Sequence, residues 1–269
     1  MNKTELLTEI NKIRLNPGRM LGQNFMVDGN MLDFIVKSAS PADGETILEI
    51  GPGFGPLTKK LLPRAAVTAI EMDVKLYSYL KANIVSPNFK LIHADALRVV
   101  YEELIGGNSF CVISNMPYSI SSPFVMKMTE LENPPEKMYL VLQKETAGRF
   151  AAAPGPKEYG AVSVLVQTVY TVEKIRNIPP EVFYQKPDVT SSLVSFVKRD
   201  SIPTRLERQE LSRLVKASFS KRRKKLISNL DDFYDRAGIL AFFLKKGIDE
   251  NVRAEKIGAA SYLEMSREI

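Results

Sequence analysis

The feature that most constrains the fold is a regular alternation of short apolar segments with longer amphipathic segments between residues 29 and 142. The apolar segments have the length of buried strands, and turn residues such as Pro41-Ala42-Asp43-Gly44 separate them from their neighbours. We predict strands over residues 46–50, 66–70, 89–92, 110–113 and 137–142, and helices over residues 29–39, 57–62, 73–84 and 121–131. This alternation predicts an α/β fold in which helices cover both faces of a mostly parallel sheet.

The pattern changes in the second half of the chain. Residues 162–172 and 193–197 are rich in β-branched and aromatic side chains, and they predict two antiparallel strands at one edge of a sheet that then has seven strands. After Pro203 only helical patterns remain. The sequence therefore predicts an α/β domain over residues 1–200 and a small all-helical domain over residues 201–269.

The supply of reactive side chains excludes several classes of function. The single cysteine, Cys111, lies in a predicted buried strand, so the chain has no internal disulfide framework. Because His93 is the only histidine, neither a Ser-His-Asp triad nor a histidine-based metal site can be assembled, and we predict that no metal is bound. No run approaches about 18 apolar residues and the N-terminus is polar, from which we expect a soluble, cytoplasmic protein without membrane association.

The first motif with chemical content is Glu49-Ile50-Gly51-Pro52-Gly53-Phe54-Gly55, in which a strand, a glycine-rich turn and a helix follow one another. Glycines at such a turn let a ligand approach the backbone at a helix N-terminus. The spacing GxGxG differs from the GxGxxG of dinucleotide sites, which disfavours an NAD-dependent dehydrogenase. The carboxylate of Glu49 suits instead a zwitterionic amino-acid tail, such as the methionine part of S-adenosylmethionine.

Further acids follow the next two strands. Glu71 closes the second strand, 20 residues after Gly51, where a carboxylate can accept hydrogen bonds from ribose hydroxyls. Asp95, which is followed by Ala96 just past the third strand, can accept from an adenine amino group. Acids at successive strand ends beside a glycine turn predict a nucleotide-like cofactor site.

The fourth predicted strand leads into Asn115-Met116-Pro117-Tyr118. Pro117 cannot donate to a sheet ladder, so the strand must end there, at the edge where open α/β sheets bind their ligands. An amide that accepts a hydrogen bond beside a ring that can stack suits a planar base with an amino group. The alternative is a strand end with a turn proline and a half-buried tyrosine. These residues alone favour that alternative, and only the rest of the chain reverses the preference.

Taken together, these motifs resemble those of the ribosomal RNA adenine dimethyltransferases. The similarity runs in the family's order from about residue 14 to the C-terminal helices and includes Leu21-Gly22-Gln23-Asn24-Phe25, residues 49–55, Asp95-Ala96-Leu97, Asn115-Met116-Pro117-Tyr118, Arg149, Pro154-Gly155, Tyr159-Gly160, Phe183, residues 187–191 and residues 219–226. The resemblance implies a Rossmann-like class I methyltransferase domain with a small helical C-terminal domain. It also implies S-adenosylmethionine as methyl donor and the exocyclic amine of adenine as acceptor.

The resemblance carries over to individual positions. It implies cofactor contacts for Gln23, Asn24, Met26, Gly51, Glu71, Asp95 and Asn115, to which the motifs above add Glu49, Gly53 and Ala96. The residues expected at the target adenine are Asn115, Pro117, Tyr118 and Phe183. The sequence departs from the family's pattern in three places: methionine replaces the usual leucine at Met26 and Met116, and Gln185 replaces the first proline of a Phe-x-Pro-x-Pro segment.

These residue types suit methyl transfer to an amine whose lone pair is delocalised into the base. Acceptors aimed at the amine hydrogens, the Asn115 side-chain oxygen and a main-chain carbonyl near Met116, favour the tetrahedral amine that can attack a methyl group. Tyr118 and Phe183 would stack the base on its two faces after it leaves its helix.

Positive charge is concentrated in the predicted helical domain. Between residues 201 and 230 there are nine basic and two acidic side chains, an excess of seven that exceeds the +6 of the whole chain. A solvated helix face is the usual meaning of such a segment. The consecutive cations Lys221, Arg222, Arg223, Lys224 and Lys225 instead favour contact with an RNA backbone.

The motifs and the distribution of charge are consistent with three functions. The first is dimethylation of adenines in a hairpin loop of small-subunit ribosomal RNA during subunit maturation, by a monomer whose partner is the RNA in the small subunit or its precursor. The second is methylation of large-subunit RNA, of the type that confers macrolide resistance. The third is a non-catalytic RNA-binding assembly or transcription factor on the same fold, which the intact cofactor and target motifs disfavour.

Overall fold

The computed structural model describes residues 1–15, 24–221 and 223–269. The strands are β1 (Phe25–Met26), β2 (Thr46–Ile50), β3 (Ala66–Glu71), β4 (Phe89–His93), β5 (Cys111–Asn115), β6 (Lys137–Gln143), β7 (Tyr170–Ile178), β8 (Phe183–Tyr184) and β9 (Ser191–Lys198). The helices are α1 (Lys3–Lys12), α2 (Gly29–Ala39), α3 (Pro56–Leu61), α4 (Val74–Asn83), α5 (Tyr101–Ile105), α6 (Ser121–Glu130), α7 (Lys144–Ala151), α8 (Ala161–Gln167), α9 (Arg205–Ser218), α10 (Leu226–Leu230), α11 (Arg236–Lys246) and α12 (Ala259–Glu268).

One sheet holds seven strands in the order β4-β3-β2-β5-β6-β9-β7, and β1 pairs separately with β8. Strands β4, β3, β2, β5 and β6 are parallel, whereas β9 runs antiparallel to β6. The predicted fold class, an α/β fold with a mostly parallel seven-stranded sheet, is therefore confirmed. The five predicted parallel strands coincide with β2 to β6 to within two residues at each end, because each is an apolar run bounded by turn residues.

The prediction of a strand over residues 162–172 was wrong. Residues Ala161–Gln167 form α8, and the strand β7 begins only at Tyr170. The Ser163 hydroxyl accepts a hydrogen bond from the Gly160 N–H (3.0 Å) and donates one to the Arg149 carbonyl (2.5 Å), which secures the first turn of the helix. Since Val164, Leu165 and Val166 are all buried, tertiary packing overrides the β-propensity of this valine-rich segment.

Internal contacts divide the chain into two compact units. The first comprises Met1–Lys127, Pro135–Ala147 and Glu173–Val197. Among its described residues, one cluster of apolar side chains packs α2 and α3 against the sheet and another joins α1 to α4. The second cluster also contains Phe25 and Phe54, whose rings meet edge to face at 5.3 Å.

The second unit comprises Met128–Pro134, Gly148–Val172 and Lys198–Ile269. The Gly155 N–H donates to the Glu255 carbonyl (2.8 Å), and the buried Tyr159 hydroxyl donates to the Ile257 carbonyl (3.0 Å). The Tyr159 ring packs edge-on against Phe219. Motif residues that carried the family resemblance therefore tie a loop of this unit to its C-terminal helices.

The division into domains at residue 200 stays a prediction. The last segment of the second unit begins at Lys198, close to that position, and from Arg205 onward the described regular structure is helical. The second unit also includes two earlier segments, Met128–Pro134 and Gly148–Val172. Within the described residues, no helix is long and apolar enough to cross a membrane.

Candidate active site

A cavity in the first unit lies at the carboxyl ends of β2, β3 and β5. Strands β3 and β4 lie on one side of β2 and strands β5 and β6 on the other, so the cavity opens where the direction of the strand order reverses. Ten of the predicted site residues line it: Asn24, Met26, Glu49, Gly51, Gly53, Glu71, Asp95, Ala96, Asn115 and Pro117.

The side chain of Ser114 connects β5 to β2 by a hydrogen bond near the carboxyl ends of the two strands. Strands β2 and β5 pair at Ile47 with Cys111 and at Leu48 with Val112. Two residues further on, the buried Ser114 hydroxyl donates to the Ile50 carbonyl at 2.6 Å, directly before the glycine turn. No motif predicted a role for Ser114, although a serine at the end of an apolar strand was the available signal.

The glycine turn requires glycine for two physical reasons. Gly51 has φ 62° and Gly53 has φ 61°, in the left-handed region that other residues adopt at a cost. A Cβ atom on Gly51 would lie 2.9 Å from Cδ of Pro117, and one on Gly53 would lie 3.1 Å from the ring of Phe25. The turn is thus packed directly against the segment that follows β5.

The carboxylate of Glu71 shapes the turn from the neighbouring strand. It accepts hydrogen bonds from the N–H groups of Gly53 (3.2 Å) and Asp73 (2.9 Å). Burial raises the pKa of Glu71 to about 7, although these N–H groups lower it in part. The side chain that was predicted to hold ribose hydroxyls therefore also orients the backbone of the glycine turn.

Glu49 is a buried acid at the end of β2. Its side chain accepts a hydrogen bond from the Thr58 hydroxyl at 2.6 Å, a partner that no sequence pattern predicted. Burial, with a smaller contribution from the nearby negative charge of Glu71, raises the pKa of Glu49 to about 8, although the Thr58 hydrogen bond lowers it in part. Two buried acids with raised pKa values favour a ligand that brings a positive charge or hydrogen-bond donors to them.

The loop after β4 presents Asp95 and Ala96. The Asp95 carboxylate accepts from the Leu97 N–H (2.9 Å), and the Arg98 guanidinium lies 3.5 Å away. The buried Tyr101 hydroxyl donates to the Ala96 carbonyl at 2.8 Å, which holds the loop from beneath.

The orientation of the Asn115 amide follows from its partner. Its Nδ2 donates to the main-chain carbonyl of Asn24 at 3.0 Å. Because a carbonyl can only accept, the nitrogen must point toward Asn24 and Oδ1 must point away from it. Residue 24 is far from residue 115 in sequence, and this hydrogen bond brings Asn24 to the end of β5.

Tyr118 and Phe183 do not line the cavity. Tyr118 is half-buried and its hydroxyl is hydrogen-bonded to the Ser191 hydroxyl, while burial raises the pKa of this phenol. Phe183 is 3% exposed; it pairs with Met26 across β1 and β8 and packs in the core beside α2. Gln185, where the family usually has proline, has φ 57°, a value that the proline ring forbids. A proline could therefore not replace Gln185 in this backbone conformation.

The run of basic residues at positions 221–225, here called the basic segment, belongs to the second unit. Asn229 is buried, and its Nδ2 donates to the carbonyls of Ser218 (2.6 Å) and Lys221 (3.2 Å), which fixes the start of the segment. Lys221 lies 3.8 Å from Asp232, and the four described cations Lys221, Arg223, Lys224 and Lys225 are exposed. Gln23 and Arg222, also predicted site residues, lie outside the described residues.

One of the nine basic residues counted in this region has a structural role instead. Arg208 is 6% exposed, and its guanidinium donates to the carbonyls of Pro203 (2.7 Å) and Leu131 (2.5 Å). Its charge holds the second unit together and is not available to a polyanion.

The fold and this cavity define a class I methyltransferase that uses S-adenosylmethionine. The family model described as ribosomal RNA adenine dimethylase matches residues 15–269, and the chain belongs to this family, as its motifs predicted. A ribosomal RNA small subunit methyltransferase A from Alkaliphilus oremlandii is 35% identical over 263 residues, which cover 94% of this chain and 92% of the relative.

The fold is shared with solved structures, among them the following two. A dimethyladenosine transferase from Plasmodium falciparum superimposes with a TM-score of 0.77 at 24% identity, covering 90% of this chain and 95% of that one. A 23S rRNA methyltransferase superimposes with a TM-score of 0.69 at 22% identity, covering 91% and 99%. The family membership shown by the sequence comparisons, and not the shared fold, excludes a dehydrogenase, the remotest alternative from the sequence.

Proposed function

We propose that this protein transfers methyl groups from S-adenosylmethionine to the exocyclic amines of adenines in small-subunit ribosomal RNA. The observation that carries the proposal is the orientation of the Asn115 amide. Its Nδ2 donates to the Asn24 carbonyl, so its Oδ1 can accept a hydrogen bond from the amine of a base. The family and a relative named as a small-subunit methyltransferase support this acceptor.

The residues around the cavity fit the cofactor. Glu49 would bind the ammonium of the amino-acid tail, Glu71 the ribose hydroxyls and Asp95 the adenine amino group, while Gly51 and Gly53 let the ligand approach the backbone. The remaining proposed contacts are Asn24, Met26, Ala96 and Asn115. When bound, S-adenosylmethionine supplies a methyl group activated by its sulfonium.

The protein's part in the reaction is to orient the amine. The Asn115 oxygen and a main-chain carbonyl near Met116 would accept the two amine hydrogens and so direct the nitrogen lone pair at the methyl group. The rate then comes largely from proximity and alignment. Pro117 fixes the direction of this segment and Tyr118 would stack on the target base, whereas the buried Phe183 needs to move before it can do so.

The finer parts of the proposal concern the substrate and the setting. We place the target adenines in a hairpin loop of the RNA, within the small subunit or its precursor, because an unpaired base costs less to extract. The modification would accompany subunit maturation in the cytoplasm, with the protein acting as a monomer. Large-subunit methylation is the second candidate, and the similarity to a small-subunit methyltransferase favours the small subunit.

The test compares particles that lack the modification. We expect labelled S-adenosylmethionine to methylate small-subunit RNA, with mass spectrometry locating the label on adenine amines, and large-subunit particles to remain unlabelled. Label in the large subunit alone would replace the proposal by the second candidate. If the protein binds the cofactor and the particle tightly but transfers no methyl group to either RNA, the result would favour the third function, a non-catalytic assembly factor.

We further propose that the basic segment binds the RNA backbone, and we predict a change in salt dependence. The double variant Arg223→Ser/Lys224→Ser should weaken RNA binding about tenfold at moderate salt and reduce the slope of log K against log salt by about 1–2. The matched control is Lys245→Ser/Lys246→Ser, which removes the same charge from lysines already paired with Glu268 and Glu264. Equal slopes for the two double variants, measured by filter binding, would contradict the assignment.

A further inference from the structure

The loop that presents Asp95 to the cavity is held by a side chain from a distant helix. Helix α6 carries Lys127, whose ammonium donates to the Leu97 carbonyl at 2.8 Å. Both residues belong to the first unit, and 30 positions separate them in sequence. Lys127 is partly buried and is not among the described residues that line the cavity. Its ammonium therefore acts on the loop and not directly on a ligand.

The bond from Lys127 is one of four that hold the two peptide groups flanking Leu97. In the peptide between Ala96 and Leu97, the carbonyl accepts from the Tyr101 hydroxyl (2.8 Å) and the N–H donates to the Asp95 side chain (2.9 Å). In the peptide that follows Leu97, the carbonyl accepts from Lys127 and the N–H donates to the main-chain carbonyl of Asp95 (2.9 Å). With all four polar groups bonded, the backbone of Leu97 is restrained on both sides. Since one of these groups binds the Asp95 carboxylate, the orientation of that carboxylate depends on the same restraint.

Helix α6 also holds the ring of Tyr101. The Lys127 ammonium lies 5.5 Å from the ring centroid, within the range of a cation–π contact, and Phe124, one turn earlier on α6, meets the same ring edge to face at 6.1 Å. Two of the four bonds at Leu97 therefore depend on α6, one directly through Lys127 and one through the position of Tyr101.

We propose that Lys127 is a positioning residue that makes the cofactor site selective for adenine by fixing the Asp95 carboxylate. The proposal rests on the proposed role of Asp95, which is to accept a hydrogen bond from the adenine amino group. An acceptor distinguishes an amino group from an oxo group only while it is held toward the base, because a mobile carboxylate turns away from an oxo group. Without the bond from Lys127, Leu97 can rotate and its N–H no longer fixes the carboxylate. The expected consequence is a loss of selectivity for the base.

The test compares the binding of S-adenosylhomocysteine, the demethylated cofactor, with that of S-inosylhomocysteine, in which an oxo group replaces the amino group. Isothermal titration of the purified protein gives the Kd of each ligand, the weaker one by displacement of the stronger. Lys127→Met keeps an aliphatic chain over Tyr101 and removes the ammonium. It should raise the Kd for S-adenosylhomocysteine about tenfold and keep the Kd for S-inosylhomocysteine within twofold, so that the selectivity ratio falls about tenfold. Lys127→Arg, which retains a charged donor, should keep that ratio within threefold.

Lys137 offers a matched control. It is also partly buried, and its ammonium donates to a main-chain carbonyl, that of Ser40, at 3.3 Å, away from the described cavity wall. Lys137→Met should lower the melting temperature and keep the selectivity ratio within twofold. Tyr101→Phe is a second variant, because it removes the other side-chain donor to the loop, the bond to the Ala96 carbonyl. It should also lower the ratio, and it takes the place of Lys127→Met if that protein does not fold.

An unchanged selectivity ratio for Lys127→Met, or an equal rise of both Kd values, would overturn the proposal, since the lysine would then support only the fold of the loop. The same fall of the ratio in Lys137→Met would overturn it as well. A failure of the role proposed for Asp95 is recognised separately, because the wild-type protein would then bind the two ligands equally. Since RNA is absent from the titrations, the identity of the methylated RNA does not affect the result.

Discussion

Replacing Asn115 by alanine is expected to lower the rate of methyl transfer by about 10²–10³-fold, the cost of removing one preorganised hydrogen-bonding group from an active site. The variant loses the acceptor for the amine hydrogens and also the hydrogen bond from Nδ2 to the Asn24 carbonyl. The rate is measured in single turnovers with saturating cofactor and saturating small-subunit particles, so that weaker binding of either substrate does not enter it.

The control is another asparagine that makes the same kind of bond. Asn83 donates from Nδ2 to the Tyr79 carbonyl at 2.8 Å, at the end of α4 and outside the cavity wall. Asn83→Ala should leave the transfer rate within twofold. Asn115→Asp adds a sharper test, because it keeps an acceptor but sets an oxygen against the Asn24 carbonyl, and it should also be slow. A rate within tenfold of wild type for Asn115→Ala would remove this side chain from the chemistry.

The sequence predicted the ends of the parallel strands well because the information is local. An apolar run that stops at a proline or a glycine turn determines where Asn115 and Gly51 lie, and Asp95 closely follows a third apolar run. Parallel strands bring their carboxyl ends together. Ten of the predicted site residues accordingly meet at one cavity. The order of the strands was not needed for this result.

What the sequence did not reveal depends on contacts between distant residues. Ser114 bonds to Ile50 and Thr58 bonds to Glu49, and neither pairing follows from periodicity. Leu6 reaches the cavity only because α1 packs on α4. Phe183 is the converse case: its place at the base stays a prediction from a motif position, and its ring is buried in the core of the structure.

Glu49→Gln is expected to stabilise the protein without cofactor and to weaken cofactor binding at the same time. Because the pKa of Glu49 is raised from 4.5 to about 8, the folded protein binds more protons than the unfolded chain between these pH values. The free energy of unfolding therefore falls as pH rises through this window, by up to about 1.4 kcal/mol per pH unit. Glutamine carries no charge, so the variant should melt at a higher temperature than wild type, by a margin that grows from pH 5 to pH 8.

Whereas the free energy of unfolding falls as pH rises, the affinity for the cofactor should increase with pH. An ionised Glu49 is the partner for the ammonium, so wild-type affinity should rise with pH up to about 8. The Glu49→Gln variant should bind about 10–100-fold more weakly at pH 8, with a flatter pH profile, as expected when a charged hydrogen bond of about 1.5–3 kcal/mol is lost. Isothermal titration of the two proteins across this range measures both effects.

Glu45, four residues earlier in the chain, provides a control because its pKa is lowered whereas that of Glu49 is raised. Burial raises its pKa, but hydrogen bonds from the Cys111 thiol and the Ala42 N–H, together with the Lys137 ammonium 3.2 Å away, lower it overall. Its ionised form is therefore favoured in the folded state, and Glu45→Gln should lower the melting temperature at pH 8. Since Glu45 is absent from the cavity wall, that variant should leave cofactor affinity unchanged. A Glu49→Gln protein that melts below wild type at pH 8, as Glu45→Gln should, would show that Glu49 is held ionised in the folded protein without cofactor.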